Sequence, residues 1–298
     1  MKHILHELFL SDCIDAIQKK FQEIVKPLNE QYFSYANIFQ APLYYKLFTF
    51  SKNVDYGLYN KVLESKHYEV IECLIKAVSE EHYKPSLLLL LYSYICEVVL
   101  NYYIEDYILY QCNFKRLNTK KLKMEKYSKT IKNIEAQFYK DRFYTPISKH
   151  KVNLDQAEID EECYKAINLF CSKVYYFSFG AEIFKKGYSN FIKYQDDKYN
   201  GIKLFNVLST KFLDSITRSK KYSASSIFYT HTPTKKDYLN KQNKLWINKN
   251  TECYKSFTAL YEEAIETASK LMSLASDEIF YKLPKTNEIK KVLAIIKK

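Results

Sequence analysis

Apolar side chains recur at helical spacing through Leu10, Cys13, Ile14, Ile17, Phe21 and Ile24, and the run stops near Pro27. A tyrosine-rich stretch from Gln31 to Lys52 is broken at Pro42, and Tyr59 to Val78 reads as a further helix. Pro85 and Ser86 then open Leu87–Ile108, whose first turns are apolar on nearly every side, the pattern of a central buried helix. Asp155 with Glu158 forms a capping box ahead of Ile159, Cys163, Ala166, Ile167, Phe170 and Val174, which share one helical face. Two more helices are expected over Ala181–Tyr194 and Ile202–Ile216, then a polar loop from Thr217 to about Asp237. The last clear helix carries Phe257, Leu260, Ala264, Ala268, Leu271 and Ala275. No repeat of fixed period and no long linker interrupts this order. The expected architecture is therefore all-α, a single helical domain over residues 1–298.

Composition supports that expectation. With 4 glycines and 6 prolines in 298 residues, the chain lacks the turn residues that all-β or Rossmann-type folds consume. Apolar residues make up 47%, enough for a globular core. The formal net charge is +12, carried almost wholly by lysine, with arginine only at Arg116, Arg142 and Arg218. Such a balance attracts phosphates in principle. Alongside the abundant Tyr, Asn, Ile and Phe, however, it is also what an AT-rich genome encodes without selection for a partner. Seven cysteines form no C-x-x-C pair and read as reduced, mostly buried thiols. His6 and Glu7 interrupt the apolar run of the first residues, and Asp12 stands where a processing site needs a small side chain. Leu87–Leu100 is too short to span a bilayer and contains Glu97. The expectation is a cytoplasmic protein with no transmembrane span.

The chain contains no P-loop, no glycine-rich dinucleotide turn, no H-E-x-x-H and no G-x-S-x-G. Its one polar constellation on a predicted helix is Glu97, Asn101 and Glu105, four residues apart and so on one stripe of an apolar helix. A polar stripe inside a core must meet a cleft or a partner. It would hold a cation through its carboxylates, or it would bond neighbouring tyrosines or backbone or reach solvent as the helix emerges. Between Lys115 and Lys151, twelve Lys/Arg face only Glu125, Glu135 and Asp141. That region reads as a solvated charged helix, with an anionic lipid surface or nucleic acid as the alternative partner. Trp246 reads as a packing anchor.

Several segments, in order, resemble the bacterial zinc-dependent phospholipase C family. YICEVVLNYYIEDYI (Tyr94–Ile108) is similar to its H-Y-A-L-D-x-x-x-H-P-Y-I core helix, and LHELFLSDCIDAI (Leu5–Ile17) to its opening H-x-x-F helix. YANIFQAPLYYKLF (Tyr35–Phe48) resembles G-P-D-P-x-F-F-Y, and YNKVLESKHYEVIECLI (Tyr59–Ile75) resembles L-H-x-x-x-T-x-E-F-L-x-x-L. YSKTIKNIEAQF (Tyr127–Phe138) resembles H-x-x-L-E-x-x-I-D, and Asp237–Met272 resembles D-Y-L-N…W…S-F-x-E-L-x-x-x-A.

The resemblance implies an all-helical fold around a cluster of zinc ions that activates water against a phosphodiester. It also implies that this chain has lost most of the zinc ligands. The first histidine is kept at His6, with His3 as a rival match. The other positions now carry Ala41, Leu63, Glu97, Asn101, Glu105, Tyr127 and Ile131, which should converge around the former cluster. Residues 1–150 would then be the remnant metal-site half and 151–298 the C-terminal helical half. Ala, Leu and Ile bring no donor atom, and without zinc a water keeps its bulk acidity. The expectation is a pseudoenzyme with no catalytic residue and no zinc, in which the remnant cleft takes a protein partner or a small ligand, or only supports the fold. The alternatives are a phosphoester hydrolase with a rebuilt site, using a weak divalent cation at Glu97 and Glu105, and a binder of anionic lipid or nucleic acid through Lys115–Lys151.

Overall fold

The computed structural model describes residues 3–48, 58, 61–62, 65–81, 83–113, 120–147, 150, 158–199, 236–248 and 251–296. The protein is all-α: among the described residues the only sheet is one two-stranded hairpin. The helices are α1 (His3–Ala16), α2 (Lys19–Val25), α3 (Tyr32–Asn37), α4 (Ala41–Phe48), α5 (His67–Glu80), α6 (Pro85–Cys112), α7 (Lys120–Phe143), α8 (Glu161–Tyr175), α9 (Gly180–Tyr199), α10 (Phe257–Tyr281) and α11 (Thr286–Ile295). The hairpin pairs β1 (Trp246–Asn248) with β2 (Thr251–Cys253).

Several boundaries differ from the sequence expectation for identifiable reasons. The first apolar run is two helices, because the chain breaks at Ile17 and Gln18. Gln22 of α2 closes that break, its side-chain amide donating to the carbonyls of Asp15 (2.9 Å) and Ile17 (2.7 Å). Pro42 does not break its helix. It sits in the first turn of α4, where its missing N–H costs nothing. The helix expected from Tyr59 to Val78 does not run through: Lys66 takes a left-handed φ of 57°, and α5 starts at His67. The capping box expected at Asp155 and Glu158 does not open α8, which begins after Asp160 with Glu158 already in non-helical chain. Asp155, the Ile202–Ile216 helix and most of the Thr217–Asp237 loop lie outside the described residues.

Glycine scarcity shows in how the helices end. Asn113, Tyr144, Tyr176 and Lys282 each follow directly on a helix and take positive φ, the conformation glycine usually supplies.

The chain divides into two compact units, each assembled from separate stretches. The larger comprises His3–Tyr102, Asn153–Ile192 and Glu263–Lys298. In it α1 packs on α3, and α5 packs on both α8 and α11. Phe39 centres an aromatic cluster with Tyr94, Phe184 and Phe170, ring centroids 5.1, 6.1 and 6.5 Å away. Tyr92 donates to Ser276 at 2.6 Å, because the serine hydroxyl already donates to the Met272 carbonyl. Every residue from Ser86 to Leu100 on α6 is buried. That helix is long and apolar enough to cross a membrane, and 83% of its most apolar window is covered by the protein itself.

The smaller unit comprises Met1–Lys2, Tyr103–Val152 and Lys193–Glu262. The basic region forms α7, with Ile131, Ile134 and Phe138 buried on one side and Lys123, Lys126, Lys129 and Lys140 exposed on another. Phe138 packs edge-on to Phe257, and Tyr107 edge-on to Trp246 at 5.2 Å. Trp246 is 1% exposed and donates its indole N–H to the Lys255 carbonyl, so it is the packing anchor expected. Tyr107 donates to the Tyr238 carbonyl, and Gln111 donates back to the Tyr107 hydroxyl.

Candidate functional site

Helix α6 carries Glu97, Asn101 and Glu105 at successive turns, so their side chains leave the helix along one stripe. Glu97 is 1% exposed. His6, from the middle of α1, brings Nδ1 to 2.9 Å from Glu97 Oε2, and Asn101 donates its amide N–H to Glu97 Oε1 at 2.9 Å. Both carboxylate oxygens are thus answered by side chains of the same unit, which is how a buried carboxylate becomes tolerable. Glu105 is half-buried and receives the Tyr127 phenol on both oxygens, at 2.9 and 2.6 Å. The stripe therefore bonds a neighbouring histidine and a tyrosine, close to the second of the two readings given for it.

His3, the rival match one turn before His6, is engaged at both ring nitrogens. Asn37 uses its amide N–H groups on the carbonyls of His3 and Phe33, so its own oxygen accepts from His3 Nδ1 at 3.0 Å. Nε2 bonds the Tyr44 hydroxyl at 2.6 Å. A metal on His3 would have to displace the Tyr44 hydroxyl.

The Ala41 carbonyl lies against Gly187 of α9, where an added Cβ would meet the Ala41 oxygen at 2.0 Å. Ala41 therefore serves a backbone-to-backbone approach of α4 and α9. Ile131 is 1% exposed in the smaller unit. Leu63 lies outside the described residues. The structure thus bonds Glu97 to His6 and Asn101, bonds Glu105 to Tyr127, and sets the Ala41 carbonyl against Gly187.

Sequence reasoning did not anticipate the Asn37–His3–Tyr44 chain or a second histidine bond, His67 Nδ1 to the Tyr94 hydroxyl at 3.0 Å, with Tyr94 donating on to the Val62 carbonyl. Neither has a local signal, since the partners lie 27 to 41 residues apart. Burial also raises several thiols and phenols. It pushes Cys163 up to about 12 and Cys112 up to about 11. Tyr32 rises to about 12 through burial and then the nearby Asp15 carboxylate. All seven cysteines are free thiols, and such shifts keep Cys112 and Cys163 protonated and inert at neutral pH.

Among the described residues no group of three or more His, Cys, Asp or Glu side chains stands at metal-holding spacing. Comparisons of the chain with protein-family models, with curated proteins and with solved structures find no match.

Proposed function

We propose that this chain is a catalytically inactive helical protein of the zinc-dependent phospholipase C type, in which the former metal-site positions serve binding or structure. The observation that carries the reading is the engagement of Glu97 by His6 and Asn101. Zinc needs three or more deprotonated or neutral N, S or O donors converging on one point. Here the one retained histidine is turned to a carboxylate, and Asn101 presents its N–H to that same carboxylate. Tyr127 keeps its proton and donates it to Glu105. Ala41 and Ile131 offer no donor. These residues do not fit a zinc cluster, so no hydrolytic step is assigned to them.

Two measurements test the proposal on the purified full chain: elemental analysis for zinc, and hydrolysis of a chromogenic phosphodiester. Trace zinc with no hydrolysis above buffer is expected. Stoichiometric zinc, or turnover abolished by a chelator, would overturn the reading in favour of a rebuilt site. A calcium- or magnesium-dependent rise in melting temperature that disappears in the Glu97→Gln, Glu105→Gln double variant would do the same.

A further inference from the structure

We infer that the lysine side of α7, ended by Tyr144, is a docking surface for single-stranded nucleic acid. Lys126, Lys129 and Lys140 follow one another at steps of three and eleven residues, which keeps them on one side of the helix. All three are exposed, and among the described residues none is paired with a carboxylate. From Lys126 to Lys140 the only acidic residue is Glu135, which is 2% exposed and turned to the other side of the helix. Glu125 stands before the first of these lysines, and Asp141, after the last, is held by Lys241 at 2.6 Å. The facing segment brings Lys236, bonded to the Gln111 carbonyl at 3.0 Å, and Asp237, whose carboxylate accepts from the Leu239 N–H at 3.2 Å. The strip is positive from end to end, with no carboxylate inside it.

The neighbours of that strip select its occupant. The large apolar side chains of α7, Ile131, Ile134 and Phe138, are buried, so the lysine side offers a bilayer nothing to take up. What stands at its end is an aromatic ring. Tyr144 follows α7 with φ 56° and donates its N–H to the Lys140 carbonyl at 2.8 Å, so its backbone is fixed while the residue is 90% exposed. Phe143 beside it is already covered, by Tyr139 with ring centroids 4.7 Å apart and by the Arg142 guanidinium 5.3 Å from its ring. Tyr144 meets no other ring among the described residues. Open lysines for phosphates and an open ring for a base are the parts that hold a single strand. A duplex keeps its bases stacked on one another and away from such a ring. From Lys126 to Tyr144 the strip runs about 27 Å, room for roughly four nucleotides. These residues all belong to the smaller unit, and docking here does not depend on the proposal above.

The test follows the fluorescence anisotropy of a labelled oligothymidylate of about twelve nucleotides as the full chain is added. Binding should weaken with salt, the logarithm of affinity falling against that of salt with a slope of about −2, because three phosphates contribute roughly −0.7 each. The variant Lys126→Gln, Lys129→Gln, Lys140→Gln should bind at least about tenfold more weakly. Removing three exposed lysines of the larger unit instead, in Lys26→Gln, Lys173→Gln, Lys291→Gln, should change binding less than about twofold. Tyr144→Gly, which suits the positive φ, should cost about fivefold or more with the salt slope unchanged, and Tyr144→Phe should keep binding. All these positions are exposed, so melting curves should match that of the wild type. No binding, equal losses in the two lysine triples, or a Tyr144→Gly variant that binds like the wild type would overturn the inference. So would a preference for duplex of the same length. Displacement of the oligonucleotide by phosphatidylserine vesicles would overturn it too, since the lysines would then serve a lipid surface.

Discussion

Glu97 and Glu105 lie two turns apart on one helix, yet the protein treats them differently. Glu97 is sealed from water and held by an imidazole and an amide, in a unit whose helices approach closely enough at Gly187 to exclude a methyl group. Glu105 is half-buried and accepts from the Tyr127 phenol, in a unit tied together by tyrosine hydroxyls, backbone carbonyls and a small hairpin. The contrast teaches that one stripe of a helix can carry two carboxylates with different bonding partners. What surrounds each carboxylate sets whether it is a structural strut or a surface group.

The severest test of the tight packing is Gly187→Ala. The new Cβ meets backbone and not a flexible side chain, so a loss of about 3 kcal/mol or more is expected in urea unfolding. A loss under about 1 kcal/mol would mean that α4 and α9 separate easily.

The next test sets the two glutamates against each other. Glu97→Gln keeps the shape but removes the charge-assisted partner of His6, and should cost about 2–3 kcal/mol, against about 1 kcal/mol or less for Glu105→Gln. Equal losses at the two positions would erase the comparison.

Alkali probes the same contrast through buried protons. A thiol or phenol is neutral when protonated, so a folded-state pKa above the unfolded one means that the native protein binds more protons than the unfolded chain. Stability is then intact below the unfolded value and falls as pH rises toward the folded one. For Cys112 the window runs from 9.0 to about 11, for Cys163 from 9.0 to about 12, and for Tyr32 from 10.0 to about 12. Thermal melting should hold steady from neutrality to about pH 9 and decline above it. The Cys163→Ala variant should flatten that decline more than Cys112→Ala does. An onset unchanged in both variants would remove the thiols from the account.

The smallest effect is expected at the open end. Tyr127→Phe deletes one hydroxyl from a half-buried carboxylate that water can reach, so about 1 kcal/mol or less should be lost in the same unfolding assay. A cost as large as that of Glu97→Gln would show that Glu105 is no surface group.

Much of the fold is legible in the sequence because it rests on periodicity. The apolar run after Pro85 marked α6, and the spacing of Phe257, Leu260 and Ala264 marked α10, since burial of one helical face leaves a local signature. Boundaries that depend on backbone turns were harder to place. Nothing in Lys66 or Tyr176 announces a left-handed residue, and the break between α1 and α2 is closed by a side chain four residues further along the chain. The strands of the hairpin are three residues each, too short for alternation to stand out.

The sequence by itself determined an all-helical protein with a polar stripe on its most apolar helix, because residue spacing alone puts Glu97, Asn101 and Glu105 on one line. Only the tertiary structure decided what each of them meets. His6 and Glu97 are ninety-one residues apart, and Ala41 meets Gly187 from a helix at the far side of the chain's order. Hydrogen bonds and close packing act over a few ångströms in space, and nothing in the order of the residues says which distant side chain will arrive there.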